Sequence, residues 1–402
     1  MDLYFKTGAP TPKIGELAQD GVIFNHAFSV APVCSAARSV LATGCYGSRI
    51  GTQYHRGGQP RTLLPKDIRP VYVVMREAGY HCTGGKTDYN FKIRKEYRKQ
   101  GWQGRDWDET FGHADRFDEK YDLVRSLRKG NLKYIRSYQP FNFDGLHNAY
   151  RYKMVAFREW RELYRAGKLN PVQAQFYEPR EPEALYDVVK DPYETKNLAK
   201  DPAYAEQLKK LRVRFNERMK GMPDLSMYPE PYLLENGMPD AVGFGQKHKA
   251  EIAELVDVAD LSLLPFSEAK AGIAAAMKSD NPWKRYWGLI VCSCFMKQAE
   301  GFVDDAKKLA ADDTNQLVRT RAVEFLGLIG EQDPRPALKD ILSKSKSKNE
   351  VLLILNTATL LEDGTPGYDI TIDVDAIGTK IRKSRKWSHA YRRIAYLNRK
   401  KK

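Results

Sequence analysis

The chain has 402 residues, of which 42% are hydrophobic and 29% charged, with a formal net charge of +15. Such a length and composition suit a globular protein of two or three domains, and no apolar run approaches the about 18 residues that a membrane-spanning helix requires. Five cysteines without a Cys-x-x-Cys pair argue against both a disulfide framework and a zinc site. No basic stretch followed by an apolar segment opens the chain, so no secretory signal is expected.

The first strongly patterned segment is Pro32 to Gly44. Ala36, Ala37, Val40, Leu41 and Ala42 favour a helix, Gly44 is a natural stop, and Pro32 keeps the residue before it extended. Cys34 then falls at a helix N-terminus, where backbone N–H groups and the dipole favour an anion or a thiolate. Arg38 lies one turn later on the same face. Spacing alone fits a buried structural thiol on an ordinary helix better. Further on, Lys86 follows Gly84 and Gly85, a pattern that also fits a solvated turn, while Asp106, Asp108 and Glu109 form an acidic cluster beside Lys and Arg that suits a charged face. His113, alone in a glycine-containing junction, reads as a solvated histidine.

From Leu123 to Tyr138 the residues alternate with period two around Lys129-Gly130-Asn131, which predicts a hairpin. Aromatic-rich helical segments are expected between Gln139 and Phe176. Beyond residue 250 the texture becomes helical, and Asn281, Asn315 and Asn349 open similar segments every 34 residues, the period of stacked helix pairs. Cys292 and Cys294 fall in an apolar helix as buried thiols. The stretch Lys380 to Lys402 holds eleven Lys and Arg residues, no acid, and Trp387, Tyr391 and Tyr396, a tail suited to polyanions.

Cys34-Ser35-Ala36-Ala37-Arg38 resembles the sulfatase motif Cys-x-(Pro/Ala)-x-Arg, and Ser39, Leu41, Thr43 and Gly44 match its usual continuation. The flanks agree: Thr11 to Ala18 with Gly21 to Phe28, then Met75 to Thr83 leading into Gly84-Gly85-Lys86-Thr87-Asp88-Tyr89-Asn90. The Lys-Thr-Asp-Tyr-Asn version is similar to a bacterial subgroup related to heparan N-sulfatases, as is the hairpin at Leu123 to Tyr138. Pro182 to Ala199, with Leu185-Tyr186-Asp187 and Asp191-Pro192, is similar to the closing segment of sulfatases, whose role there is to pack a small C-terminal sheet.

That resemblance implies an alkaline-phosphatase-like α/β sulfatase domain over residues 1–230; the 34-residue spacing predicts HEAT-like all-α repeats over 250–378, before a basic tail at 379–402. It implies that Cys34 is oxidised to formylglycine, the nucleophile toward a sulfate ester and a ligand of Ca2+, with Arg38 holding the diol and Lys86 the sulfate. Implied partners are a sulfated small molecule or glycan and a formylglycine-generating maturation enzyme. The family is usually periplasmic or extracellular; the chain as written carries no signal and reads as cytoplasmic. Two family pieces are missing: the N-terminal strand ending in Asp-Asp, since only Asp2 is present, and a central segment, with a join near Thr110 to His113. The alternatives are an inactive sulfatase remnant, or a helical scaffold that binds polyanions through its basic end.

Overall fold

The computed structural model describes residues 12–24, 27–55, 62–80, 89–92, 109–383 and 388–399. Lys86, Cys82, Asp106 and Asp108 lie outside these residues. The architecture is mixed α/β: a four-stranded antiparallel sheet in the order β3-β4-β5-β6, a separate two-stranded parallel pair β1-β2, and a large set of helices. The strands are β1 (Thr62–Leu63), β2 (Phe91–Lys92), β3 (Glu109–Phe117), β4 (Lys120–Lys129), β5 (Leu132–Ser137) and β6 (Glu183–Asp187).

The expected hairpin is present as β4-β5. Lys129 pairs with Leu132 across Gly130 and Asn131, and Gly130 sits at φ 56°, the left-handed region that glycine reaches without a Cβ penalty. β6 continues the sheet through Leu185, which pairs with Tyr134. Both residues are wholly buried, and Tyr134 meets Phe215 of the Ala205–Gly221 helix edge-on with ring centroids 5.2 Å apart. The Asp191-Pro192 turn forms because the Asp191 carboxylate accepts the amides of Thr195 and Lys196. Of the aromatic segments, Val155–Arg165 is a helix, whereas most of 139–150 is turn and loop.

The Thr110 to His113 stretch is part of β3, and His113 is not the solvated histidine that its setting suggests. His113 is buried, its amide donates to the Val30 carbonyl at 2.7 Å, and its ring lies against Gly47. A bulge at Asp115 interrupts the β3-β4 register, so that consecutive side chains, Asp115 and Arg116, are both turned into the protein. Arg125 stands between Asp115 at 2.9 Å and Asp224 at 2.6 Å. Burial pushes the Asp115 carboxyl up to about 6. Asp224 is buried as well, yet Arg125 and the Ser226 amide hold it below the usual carboxylate range. Burial, and secondarily Arg125, drives His113 down to about 3.

Helices fill the remainder. Phe266–Met277 packs on Pro282–Phe295, Val303–Asp312 on Gln316–Ile329, and Pro334–Ser343 on Lys348–Asp363, while the second helix of each pair packs against the next second helix. Asn281 and Asn315 cap their helices as their spacing suggests, accepting the amides of Trp283 and Leu317. The third cap is Ser347, however. Asn349 is already inside the helix and buried, donating to Glu230 at 2.9 Å. Cys292 is buried and Cys294 half-buried; burial raises the Cys292 thiol far above its usual range and that of Cys294 to about 12.

The basic end differs from a solvated tail. Ser388–Asn398 is a helix that buries Ala390, Arg393, Ile394 and Leu397, and Asn398 exchanges two hydrogen bonds with the Ile372 backbone. One apolar cluster runs from the sheet through these helices; a second, small one joins Ala42, Ile50, Leu64 and Phe91. No helix among the described residues is long and apolar enough to cross a membrane.

Two measurements check this packing. Arg116 and Glu230 are wholly buried and 2.6 Å apart, so Glu230→Ala strands a buried guanidinium and is expected to cost about 3–5 kcal/mol in urea unfolding. His113 stays neutral in the folded protein to about pH 3 but gains a proton near pH 6.5 once unfolded. Its contribution is therefore complete above pH 6.5 and lost as pH falls toward 3. The stability gap between pH 7 and pH 4.5 should be smaller in His113→Leu than in the wild type; an equal or larger gap would contradict the burial of a neutral ring.

Candidate active site

The Cys34–Thr43 helix coincides with the stretch expected from its alanines and Gly44. Gly44 closes it in the left-handed conformation at φ 66°, and its amide donates to the Val40 carbonyl. Val33, extended at the N-cap, contributes no side-chain acceptor to the first turn. The positive end of the helix therefore lies at Cys34.

Two stripes divide this helix. Ser35, Ser39 and Thr43, spaced one turn apart, are buried and bond back to the helix: Ser39 Oγ donates to the Ser35 carbonyl at 2.7 Å, and Thr43 Oγ1 to that of Ser39 at 2.8 Å. Cys34 and Arg38 occupy the neighbouring stripe, both half-buried, and Leu41 is 83% exposed. The structure therefore brings Cys34 and Arg38 together on the more open side of one helix. Glu109 is described only as backbone at the start of β3.

The buried stripe fixes the helix to its surroundings. Ser39 Oγ accepts the amide of Asn90 at 3.0 Å, and Asn90 Nδ2 donates to the carbonyls of Thr52 and Tyr54. Asn90 ends the Lys86-Thr87-Asp88-Tyr89-Asn90 motif and leads into β2, where Phe91 pairs with Thr62 of β1. The motif's end is thereby held on the Cys34 helix. Tyr89 stacks between Tyr72 and Phe91, with centroids at 5.9 and 5.0 Å.

His55 is the polar contact that sequence reasoning missed. Its Nδ1 lies 3.1 Å from Ser35 Oγ, its Nε2 3.4 Å from Asp118 Oδ1, and its carbonyl accepts from Arg116 at 3.3 Å. Serine, histidine and aspartate in line resemble a nucleophile relay, but Ser35 is wholly buried and out of reach of any substrate. The line serves to position the first turn of the Cys34 helix. Nothing in the sequence signals it, because 20 residues separate Ser35 from His55 and no motif ties them.

Among the described residues, no three or more His, Cys, Asp or Glu side chains come together to hold a metal ion. A hard cation such as Ca2+ takes about six oxygen ligands, so these residues do not fit the calcium site that the motif implies.

Residues 1–132 match the family model for sulfatases. Over 122 residues the chain is 37% identical to an ulvan-active sulfatase of Formosa agariphila, an overlap of 30% of this chain and 20% of that protein. It is 29% identical over 138 residues to the uncharacterized sulfatase YidJ of Escherichia coli, covering 33% of this chain and 26% of the relative. An extracellular sulfatase SULF-1 homolog of Drosophila melanogaster is 27% identical over 132 residues, 32% of this chain and 12% of its own length. The chain thus spans about a fifth of the length of the ulvan-active relative and a similarly small share of the others. The matched region contains the Cys34 helix, its Asn90 anchor and the first strands of the antiparallel sheet, so the similarity to sulfatases lies in residues 1–132.

Proposed function

We propose that this protein hydrolyses sulfate esters through a formylglycine made from Cys34 by a maturation enzyme, with a sulfated glycan as the substrate class. The observation that carries the proposal is the placement of Cys34, at a helix N-terminus, with Arg38 one turn away on the same half-buried stripe. Once formed, a hydrated formylglycine supplies one hydroxyl to attack sulfur and expel the alcohol, and a second whose deprotonation releases sulfate and restores the aldehyde, dividing one displacement into two.

The residues of the chain have separable duties in this reading. Arg38 offers a fixed fork of donors and a permanent charge to an oxygen on residue 34. Lys86 neutralises sulfate oxygens, and the link from Ser39 to Asn90, four residues beyond Lys86, supports its delivery to the same helix. The amides of the first turn add positive potential where charge builds on the transferring sulfuryl group. The ulvan-active character of one relative favours a polysaccharide, and the stacked helix pairs over 266–363 are read as HEAT-like repeats.

Mass spectrometry of the peptide spanning Cys34, from protein co-expressed with a formylglycine-generating enzyme, should show conversion of thiol to aldehyde. The converted protein should then turn over a chromogenic aryl sulfate. Cys34→Ala is expected to lower kcat/KM by at least about 1,000-fold, and Arg38→Lys by about 100-fold, since lysine does not reproduce the planar fork. An unconverted thiol, or turnover that survives Cys34→Ala, would overturn the assignment and leave the non-catalytic reading.

A further inference from the structure

The basic C-terminal helix builds one wall of a groove remote in sequence from the Cys34 motif. A cavity of about 490 Å³ lies between Ser388–Asn398 and the segment 147–158. Lys153 and Arg158 face Arg392 and Arg399 across it, and no carboxylate lines it. Among the described residues none of these four cations enters an ion pair, although the chain has 51 acidic residues with which to pair them. All four are exposed.

The floor is rigid. His147 stacks on Tyr396 at 3.5 Å and on Tyr152 at 5.4 Å, both nearly parallel, and the Arg161 guanidinium lies 4.2 Å over Tyr152 while donating to the Tyr396 hydroxyl. Beneath it, Arg393 is wholly buried, donating to the carbonyls of His147 and Glu119 and to Asn356 Oδ1. This anchor sets the rotation of the helix, so Arg392 and Arg399, one heptad apart and about 10 Å along the axis, line the groove together.

We propose that this groove is a second, non-catalytic binding site for a sulfated oligosaccharide, whose sulfates pair with Lys153, Arg158, Arg392 and Arg399 while a sugar ring lies on Tyr391. The ligand class rests on the function proposed above; the groove's geometry does not. Single-stranded nucleic acid would need successive exposed ring faces on which its bases stack. Here Tyr152 is buried and covered by Arg161, and Tyr396 is covered by His147, which leaves Tyr391, at 59% exposure, as the ring available to a ligand. Separate cations around one ring suit a chain of sulfated sugars better than a stack of bases.

The test is binding of a fluorescent heparin-derived octasaccharide to the full chain, beside its desulfated counterpart and a single-stranded DNA of equal charge. The sulfated sugar should bind more tightly than either, with an affinity that falls as salt rises. Arg392→Glu with Arg399→Glu should weaken it at least about 10-fold and flatten the salt dependence; Lys153→Gln with Arg158→Gln, on the facing wall, should weaken it in the same way if the first variant fails to fold. Affinity unchanged by the charge variants, equal binding of the desulfated sugar, or DNA bound as tightly and lost in parallel would each overturn the proposal. The mass of the Cys34 peptide from the same preparation tests the hydrolytic reading separately, so either result can fail while the other holds.

Discussion

The ion pair between Arg116 and Glu230 organises this molecule. Both side chains are fully withdrawn from water, and Tyr121 and Asn349 complete the shell of Glu230 with hydrogen bonds of 2.6 and 2.9 Å. Charges buried this deeply are tolerated because each lone pair and proton finds a partner. Those partners come from β3, from β4, from the segment after the sheet and from the last long helix. Arg116 also donates to the carbonyl of His55, whose ring reaches Ser35. A single buried pair therefore connects the sheet, the helical stack and the first turn of the Cys34 helix, which links the helix pairs by polar contacts to a motif whose apolar residues form their own small cluster.

What could be read from the sequence, and what could not, follows from the range of the interactions involved. The Cys34–Thr43 helix, the β4-β5 hairpin and the Leu185 strand depend on local rules: alanines ended by a glycine, period-two alternation around Gly130, and a turn begun by Asp191. All three are found where those rules place them. His113, His55 and Asn349 depend on contacts with distant residues. His113 reads as solvated by composition, yet β-pairing encloses it against Gly47 and Arg125. Asn349 has the spacing of a helix cap, but Ser347 takes that role and frees Asn349 to reach Glu230. In the basic end, Arg393 looks like one more cation among eleven until the carbonyls that receive it are seen.

The Cys34 helix shows how one short element separates holding from reacting. Its serine and threonine stripe is spent on attachment, through Ser39 to Asn90 and through Ser35 to His55, and the adjacent stripe keeps Cys34 and Arg38 open. With a period of 3.6 residues, positions i and i+4 share a face, so two interleaved sets of that spacing, 34/38 and 35/39/43, fall on neighbouring faces without competing. Converting a cysteine to an aldehyde at such a position does not require the helix to move, since its anchors belong to the other stripe.

The same division recurs in the C-terminal helix, where Arg392 and Arg393 are consecutive and point apart. Arg393 is wholly buried and donates to two carbonyl oxygens and to Asn356 Oδ1; burial lowers its affinity for a proton, while the nearby Glu119 and Asp363 carboxylates act in the opposite direction. Arg392 faces the groove with Arg399. Because the Glu119 and Asp363 carboxylates offset the charge of Arg393, the positive potential of the groove comes chiefly from the four cations at its rim. Substituting the rim therefore removes the contacts and most of the attraction for anions together, while Arg393 stays in place to hold the helix.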